Sequence, residues 1–355
     1  MRATMKHVAE RAGVSIKTVS NVVNGHAHVT DQTRRRVQAA IDDLGFVPNG
    51  TARSLRSGRS GVVALALPEL HAPYFAELAH HVVRAAHARG WTILVDETRG
   101  ELHQERLAAS GIRPQLIDGL IFSPLALQAR DLPADGTRPP MVLLGERVTG
   151  AVVDLVTVDN AAVAAMAVEH LVGLGRRRLA AVGVQATIVA ETSRLRLRGY
   201  RQALERAGLP PEPLEVQVQR WHRADGAEAA RVLLAAPHPP DGVVCFNDLL
   251  ALGLLRGLAD AGVRVPDDIA VIGVDDVDDG RYARPSLSTV ALDKQGIADA
   301  AVELLAARIE GDDSPARTVL AAHQLVVRES TAGVGEVRPP TVPPVLQQRR
   351  RIAPG

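Results

Sequence analysis

The sequence predicts two architectures in one chain: a small all-α headpiece of helix-turn-helix type, then an α/β core of two doubly wound parallel-sheet lobes. Three observations lead there. Residues 5–24 place two short helical patterns around a single glycine. From Gly61 onward, short apolar runs alternate with longer helical patterns. Charge is also split unevenly: residues 1–60 hold ten Lys and Arg against four acids, a net +6, leaving −5 on the rest of a chain whose total is +1.

In the headpiece, Val8, Ala9 and Ala12 recur at helical spacing and form one apolar face. Gly13 supplies the backbone freedom that a sharp turn needs. Ser15 is a good N-cap for a second helix, whose Val19, Val22 and Val23 face the first. Ile16, Lys17, Ser20 and Asn21 occupy the other face, with no core to fill. That is the geometry of a helix-turn-helix, whose second helix enters the major groove. Thr30 or Asp31 caps a third helix through Leu44, with Val37, Ile41 and Leu44 on one side and Arg34, Arg35 and Arg36 near its start. Gly45 and Pro48 end it.

Residues 49–58 are too short for an independently stable helix. Their composition suits a linker. It also suits a segment that folds only on a partner, with Leu55 as its apolar wedge.

The core opens with the near-continuous apolar run Val62-Val-Ala-Leu-Ala-Leu67, as in a buried parallel strand. A helix over residues 73–89 follows, then a strand at 92–95, a helix near 102–110, and strands at 119–122, 141–144 and 155–158. A second set runs helix 161–174, strand 179–183, helix 195–207, a strand near Val216, helix 226–235, strand 242–246, helix 251–261 and strand 269–273. Ligands of such folds bind beyond the carboxyl ends of strands. Glu146, Asp159, Asn247, Asp248, Asp275 and Asp276 stand at those points, where helix capping is the competing role. The Pro- and Arg-rich stretch from Gly333 reads as a disordered tail.

Composition narrows the function. At 355 residues the chain fits two to three domains, on a prior of about 150 residues each. Apolar content is 46% but aromatic content 3%, so Val, Leu and Ala must fill the core. A single cysteine, Cys245, excludes an intramolecular disulfide and a Cys-rich zinc site. No run approaches the roughly 18 apolar residues of a membrane span, and no apolar stretch precedes a cleavage site. A cytoplasmic protein with no membrane partner is expected. A basic head on an acidic body fits a phosphate-binding module joined to a regulatory body; a merely solvated basic face is the alternative.

Enzyme readings find little to hold. Neither the run ending at Leu67 nor that ending at Gly183 is followed by Gly-x-Gly-x-x-Gly, and there is no P-loop, Gly-x-Ser-x-Gly or His-Glu-x-x-His. His80 and His81 are adjacent, point to different helix faces and make a poor metal pair. No enzyme activity, cofactor or metal is expected. A secreted sugar-binding protein would lack the headpiece.

Over about residues 5–331 the chain resembles the LacI/GalR transcriptional regulators. The resemblance rests on Val8-Ala-Glu-Arg-Ala-Gly-Val-Ser15, Thr18-Val-Ser20, Val22-Val-Asn24, Thr33-Arg34, Leu44-Gly-Phe-Val-Pro-Asn49 and Ala52-Arg-Ser-Leu55. It continues in Ser193-Arg-Leu-Arg196 with Gly199-Tyr200, Asn247-Asp248 with Ala251-Leu-Gly253, Gly273-Val-Asp-Asp276 and Val327-Arg-Glu-Ser330. Their order and spacing are kept.

The resemblance implies a homodimer on pseudo-palindromic double-stranded DNA, most simply a repressor. It also implies a periplasmic-binding-protein-like core that closes on a small-molecule effector, a sugar or related metabolite. By position, Ile16, Lys17, Ser20 and Asn21 would face base edges, while Thr4, Met5, Thr18, Asn24, His28 and Thr33 would contact phosphates. Ser15 would be a cap first and a phosphate contact second. Base contacts set sequence preference and phosphate contacts set register. Residues 49–58 would be the family's hinge helix, reversing the linker reading: from Asn49 onward, Ala52 and Leu55 would enter the minor groove, with Arg53 and Arg56 on the flanking backbone.

In the core, the resemblance puts Arg196, Asp275 and Asn247 on the effector, with Glu146 at a strand end nearby. Trp221 would stack on the ligand or fill the core. The stretch from His71 to Phe75 would lie at the cleft or the dimer face. The implied boundaries are 4–48 for the headpiece and 49–58 for the hinge. The first lobe is 61–159 with 289–319, the second 160–288 with 320–332, and the tail 333–355. The tail has no leucine heptads, so a dimer is expected rather than a tetramer.

Overall fold

The computed structural model describes residues 3–23, 28–46, 59–110, 116–133, 138–146, 148, 153–185, 191–209 and 214–333. The chain forms two compact units, Met1–Gly61 and Val62–Gly355. The expected hinge, with Asn49, Ala52, Arg53, Leu55 and Arg56, lies outside the described residues, as do Asn24 and the tail after Gly333.

Among the described residues, three helices make the first unit: α1 (Met5–Ala12), α2 (Ile16–Val23) and α3 (Asp31–Leu44). Each begins on a hydroxyl. Thr4 accepts from the His7 amide at 3.4 Å, Ser15 from Thr18 at 3.1 Å and Thr30 from Thr33 at 3.4 Å. Gly13 and Gly45 end α1 and α3 in the left-handed conformation, at φ 62° and 56°, which costs glycine nothing. Val8, Ala9, Ala12, Val19, Val22, Val37, Ala40 and Phe46 form the core. Leu44 departs from expectation: it is 36% exposed, because Phe46 folds back from the turn beyond it and closes that end. The exposed ion pair of Arg11 with Asp43, at 2.7 Å, ties α1 to α3.

The second unit holds two six-stranded sheets among the described residues. The first, in order β11-β5-β4-β3-β1-β2, is parallel throughout. It comprises β1 (Val62–Leu67), β2 (Thr92–Glu97), β3 (Gly119–Phe122), β4 (Met141–Leu144), β5 (Asp154–Val158) and β11 (Thr318–Ala321). The second, in order β12-β10-β9-β8-β6-β7, uses β6 (Leu179–Val184), β7 (Leu214–Gln217), β8 (Gly242–Cys245), β9 (Ala270–Val274), β10 (Ser288–Leu292) and β12 (His323–Val326). Only β12 runs antiparallel, paired with β10. Apolar cores cover both faces of each sheet, as parallel strands require.

Helices α4 (Pro73–Ala88), α5 (Leu102–Ala109) and α11 (Lys294–Glu310) serve the first sheet. Helices α6 (Asn160–Gly173), α7 (Glu191–Arg206), α8 (Arg223–Leu234) and α9 (Asp248–Asp260) serve the second, with short turns α10 (Asp278–Tyr282) and α12 (Glu329–Ala332). The chain passes between sheets after β5, after β10 and between β11 and β12. Asp159 and Asp293 stand at the first two passages and cap α6 and α11.

Two boundaries correct the expected ones. Residues 289–292 are expected in the first lobe, but Thr289 and Val290 pair with β9, so the return follows Leu292. Residues 320 and 321 stay in the first sheet on β5. Strand β11 is held there by buried Asp154, which accepts Arg308 Nε at 2.8 Å, Arg308 Nη2 at 2.9 Å and the Arg317 amide at 2.7 Å. Burial alone would raise the Asp154 pKa, but these donors hold it below the usual carboxylate range.

Close helix contacts explain two glycines of the motifs. A Cβ on Gly199 would sit 2.0 Å from the Ala161 carbonyl oxygen, and one on Gly253 1.9 Å from that of Arg223. Backbone therefore touches backbone where α6 meets α7 and where α8 meets α9. Ala is favoured over Gly in a helix by about 1 kcal/mol, yet overpacking costs about 1–3 kcal/mol. Gly199→Ala and Gly253→Ala should each lower the urea midpoint with an unchanged m-value. Wild-type stability in both would disprove the backbone contacts.

Candidate functional site

On α2, Ile16 (51% exposed) and Lys17 project into solvent and Asn21 is half-buried. Ser20 shows less of itself than its neighbours Ile16 and Lys17. It is 8% exposed, because residue 20 follows Val19 toward the inward side of a short helix. The positions expected to touch phosphate cluster at helix starts. Thr4 caps α1, Thr18 lies in the first turn of α2 against Ser15 Oγ at 2.9 Å, and Thr33 lies in the first turn of α3 against Thr30 Oγ1 at 3.0 Å. Free amides and the helix dipole favour anions there. Met5 packs against the headpiece core and His28 is exposed.

Between the two sheets of the core lies a cavity of about 870 Å³. Its lining includes all seven core residues singled out from the sequence: His71, Phe75, Glu146, Arg196, Trp221, Asn247 and Asp275. Arg196 is the organising side chain. Buried on α7, it donates from Nε to Asn160 Oδ1 at 2.8 Å and from Nη1 to the Phe246 carbonyl. Its guanidinium carbon lies 5.3 Å from the centroid of the Trp221 ring, a cation–π distance. Asn160 in turn donates to Glu146 Oε2 at 3.0 Å, and Thr192 donates to Glu146 Oε1. The fan of Arg196 is thereby fixed, with Nη2 aimed toward Asp275 Oδ1 at 4.0 Å.

That gap exceeds a hydrogen bond. Among the described residues, no donor is bonded to the Asp275 carboxylate, although the residue is 7% exposed. Burial lifts its pKa to about 6, opposed by Arg196 and Lys294 and assisted by Glu77. Burial likewise raises Glu146, against its Thr192, Arg196 and Asn160 partners. Tyr74 is pushed above the ordinary phenol range by burial and by the charge of Asp275, with Arg196 opposing. A carboxylate, a guanidinium edge and a phenol therefore share one partly apolar enclosure, a set that can read hydroxyls and orient a flat or pyranose-sized ligand.

Asn247 and Trp221 have structural duties as well. Asn247 accepts the Leu250 amide at 2.9 Å as the cap of α9 and donates to the Trp221 carbonyl at 3.1 Å. Trp221 Nε1 donates to the Gly183 carbonyl at 2.9 Å, and its ring packs at the edge of both cores of the second sheet. His71 is exposed at the cavity mouth, and Phe75 meets Tyr74 edge-on at 5.2 Å.

Several lining residues escaped the sequence reading: Asn160, Thr192, Glu69 and His222. Tyr74 lies inside the stretch from His71 to Phe75 expected at the cleft or the dimer face, and it lines the cavity. Thr192 fell ahead of the expected helix start at residue 195. Glu69 and His222 are 153 residues apart, and only the fold brings them to 3.0 Å.

A helix-turn-helix unit carried on a two-lobed α/β core of this kind defines a DNA-binding regulator with a periplasmic-binding-protein-like body. Residues 4–49 match the model for bacterial regulatory proteins of the lacI family, and residues 168–331 that for a periplasmic binding protein-like domain. The chain is 31% identical over 331 residues to the HTH-type transcriptional repressor PurR of Photobacterium profundum, spanning 92% of this chain and 98% of that one. Among solved structures, the Lac repressor dimer bound to operator and the anti-inducer ONPF shares 28% identity at a TM-score of 0.81, covering 93% of this chain and 99% of that one. The complex of the regulator CelR with cellobiose shares 32% identity at a TM-score of 0.67, covering 93% and 100%. The chain belongs to the LacI family of bacterial transcriptional regulators.

Asp275 yields a sign-definite pH test. Its folded pKa, about 6, exceeds the unfolded value of about 4. Its contribution to stability is therefore full below about pH 4 and lost as pH rises through about 6. Asn tolerates the positive φ of 117° at this position and does not titrate. The thermal midpoint of Asp275→Asn relative to wild type should thus become steadily more favourable from pH 4 to pH 7. A difference independent of pH would count against a buried, ionising Asp275.

Proposed function

We propose that this protein is a homodimeric repressor of a pseudo-palindromic operator, whose DNA affinity is set by a sugar or related polyhydroxylated metabolite bound between the core lobes. The observation that carries this reading is the Arg196–Asp275 pair, facing across 4.0 Å in a cavity roomy enough for a sugar. Relatives named for transcriptional repression, operator binding and a cellobiose complex support the same reading.

In this scheme residues 4–48 read the operator, with Ile16, Lys17 and Asn21 toward base edges and Thr4, Ser15, Thr18, Asn24, His28 and Thr33 toward phosphates. Residues 49–58 act as a hinge that folds on DNA, where Ala52 and Leu55 enter the minor groove. Leu55 unstacks a base step at a cost of a few kcal/mol, offset by contacts that the bent duplex allows. Arg53 and Arg56 hold the adjoining backbone. Arg196 and Asp275 read the effector, while Glu146, Asn247, Trp221, His71 and Phe75 shape its enclosure.

Leu55→Ala should weaken operator binding far more than binding to random DNA in a salt-controlled fluorescence titration, whereas equal losses would sink the wedge role. Lys17→Ala should cost about 1–3 kcal/mol of discrimination at one base position. A thermal-shift screen of sugars and nucleosides against the full chain should find the effector. Arg196→Ala and Asp275→Ala should then abolish its effect on operator affinity while leaving affinity without effector within a factor of a few. An unchanged effector response in either variant removes that residue from the site.

A further inference from the structure

At the mouth of the cavity, Glu69 and His71, from the segment after β1, meet His222, from the segment ahead of α8. Glu69 Oε2 lies 3.0 Å from His222 Nε2 and 4.0 Å from His71 Nε2. The imidazoles meet edge-on with centroids 5.6 Å apart, and one ligand atom from each of the three residues lies within 4.8 Å of the others. A tetrahedral ion with ligands at about 2.0–2.1 Å needs neighbouring donors about 3.3 Å apart. The observed set is within a side-chain rotation of that spacing. His71 has room to make the rotation, since its side chain is 70% exposed.

The other two ligands stand on anchored backbone. The Leu70 amide donates to Glu97 Oε1 at 3.4 Å, next to Glu69. The His222 carbonyl accepts the Gly226 amide at 3.2 Å in the first turn of α8, and the neighbouring Trp221 carbonyl accepts from Asn247. A Glu69–His222 hydrogen bond accounts for two of the three groups. It leaves outside that bond a second, largely exposed imidazole, whose Nε2 lies 4.0 Å from the same carboxylate.

We propose that Glu69, His71 and His222 bind a divalent transition-metal ion of the zinc type. Two imidazoles and one carboxylate suit such an ion, whereas Mg²⁺ and Ca²⁺ prefer oxygen-only shells. Three protein ligands leave a fourth position for water or for a donor atom of a molecule in the cavity. Because the ligands come from both lobes, the ion binds the arrangement in which the lobes meet and stabilises it by mass action. The site is read without DNA or effector, so its failure and that of the repressor reading are separable.

The test strips the full chain with EDTA and titrates it with Zn²⁺ against a chromophoric chelator. One ion per chain is expected. His222→Gln, His71→Gln and Glu69→Gln should each weaken its binding by at least ~10-fold, while the exposed control His103→Gln should bind as wild type does. Zn²⁺ should raise the thermal midpoint of the wild type and leave that of His71→Gln/His222→Gln unmoved. Equal Zn²⁺ binding by the double variant, or a wild type whose midpoint ignores the ion, overturns the proposal. If a variant folds poorly, imidazole NMR of the wild type decides: shifts at His71 and His222 on adding Zn²⁺ support the site, and unshifted rings overturn it.

Discussion

The core depends on one buried ammonium. Lys294 opens α11 where the chain passes back to the first sheet, and its Nζ donates to the carbonyls of Asp275 at 2.7 Å and Asp276 at 2.9 Å. Those two residues take positive φ in succession, 117° and 52°, a conformation that costs a non-glycine residue about 1–3 kcal/mol. Charge-assisted bonds to both carbonyls offset that strain. Arg328 adds a bond from Nη2 to Asp276 Oδ1 at 2.6 Å, and buried Asp248 accepts the Val277 amide at 2.9 Å. The turn so held is what lifts the Asp275 carboxylate out of the end of β9 and into the cavity. Without it, the strand end would offer only backbone.

The same ammonium joins the lobes. Glu77 on α4, in the first lobe, lies 2.6 Å from Lys294 Nζ and also accepts the Asp278 amide of the second lobe at 3.0 Å. One carboxylate thus serves a cation and a backbone donor on elements that any relative motion of the sheets would displace. A partly buried ion pair of this kind is a poor source of net stability, since desolvation cancels much of its attraction, but losing either partner is costly. Its value here is geometric: it holds α4 of the first lobe against the turn from Asp275 to Asp278 in the second.

Most of the architecture was legible because parallel strands buried on both faces write themselves as apolar runs. Val62–Leu67 and Gly119–Phe122 are plain examples. Helix α11 was not legible, because it buries residues around much of its girth, from Lys294 and Ile297 to Leu304, Leu305 and Ala306, and so shows no one-sided stripe. Strands β11 and β12 are short edges with mixed burial, and neither reads as a strand alone. At the cavity, residues that follow strands could be named from position, whereas Asn160, Thr192 and Tyr74 act through partners on other elements. Several pieces that carry the family resemblance prove to be scaffold. Ser330 donates to the Val271 carbonyl at 2.7 Å and accepts the Ser288 amide at 2.8 Å, and Arg328 Nη1 donates to the Leu287 carbonyl at 2.8 Å. They bind the last turn of the chain to β9 and β10.

The electrostatics of the cavity follow from that scaffold. Asp275 is held in a low-dielectric enclosure with its carboxylate short of a hydrogen-bonding partner among the described residues, and desolvating a carboxylate costs several kcal/mol. Arg196, whose Nε and Nη1 are already committed, approaches only to 4.0 Å. A molecule that places a hydroxyl between the two can donate to Asp275 and accept from Nη2 at once, satisfying both ends of a gap that the protein itself does not close. That gain is made within the second lobe. Arg196 and Asp275 stand on the second sheet, and Tyr74 and Glu146 face them from the first. An occupant that also touches Tyr74 or Glu146 is coupled to the relative position of the lobes, since Glu146 already accepts from Asn160 and Thr192 across the gap.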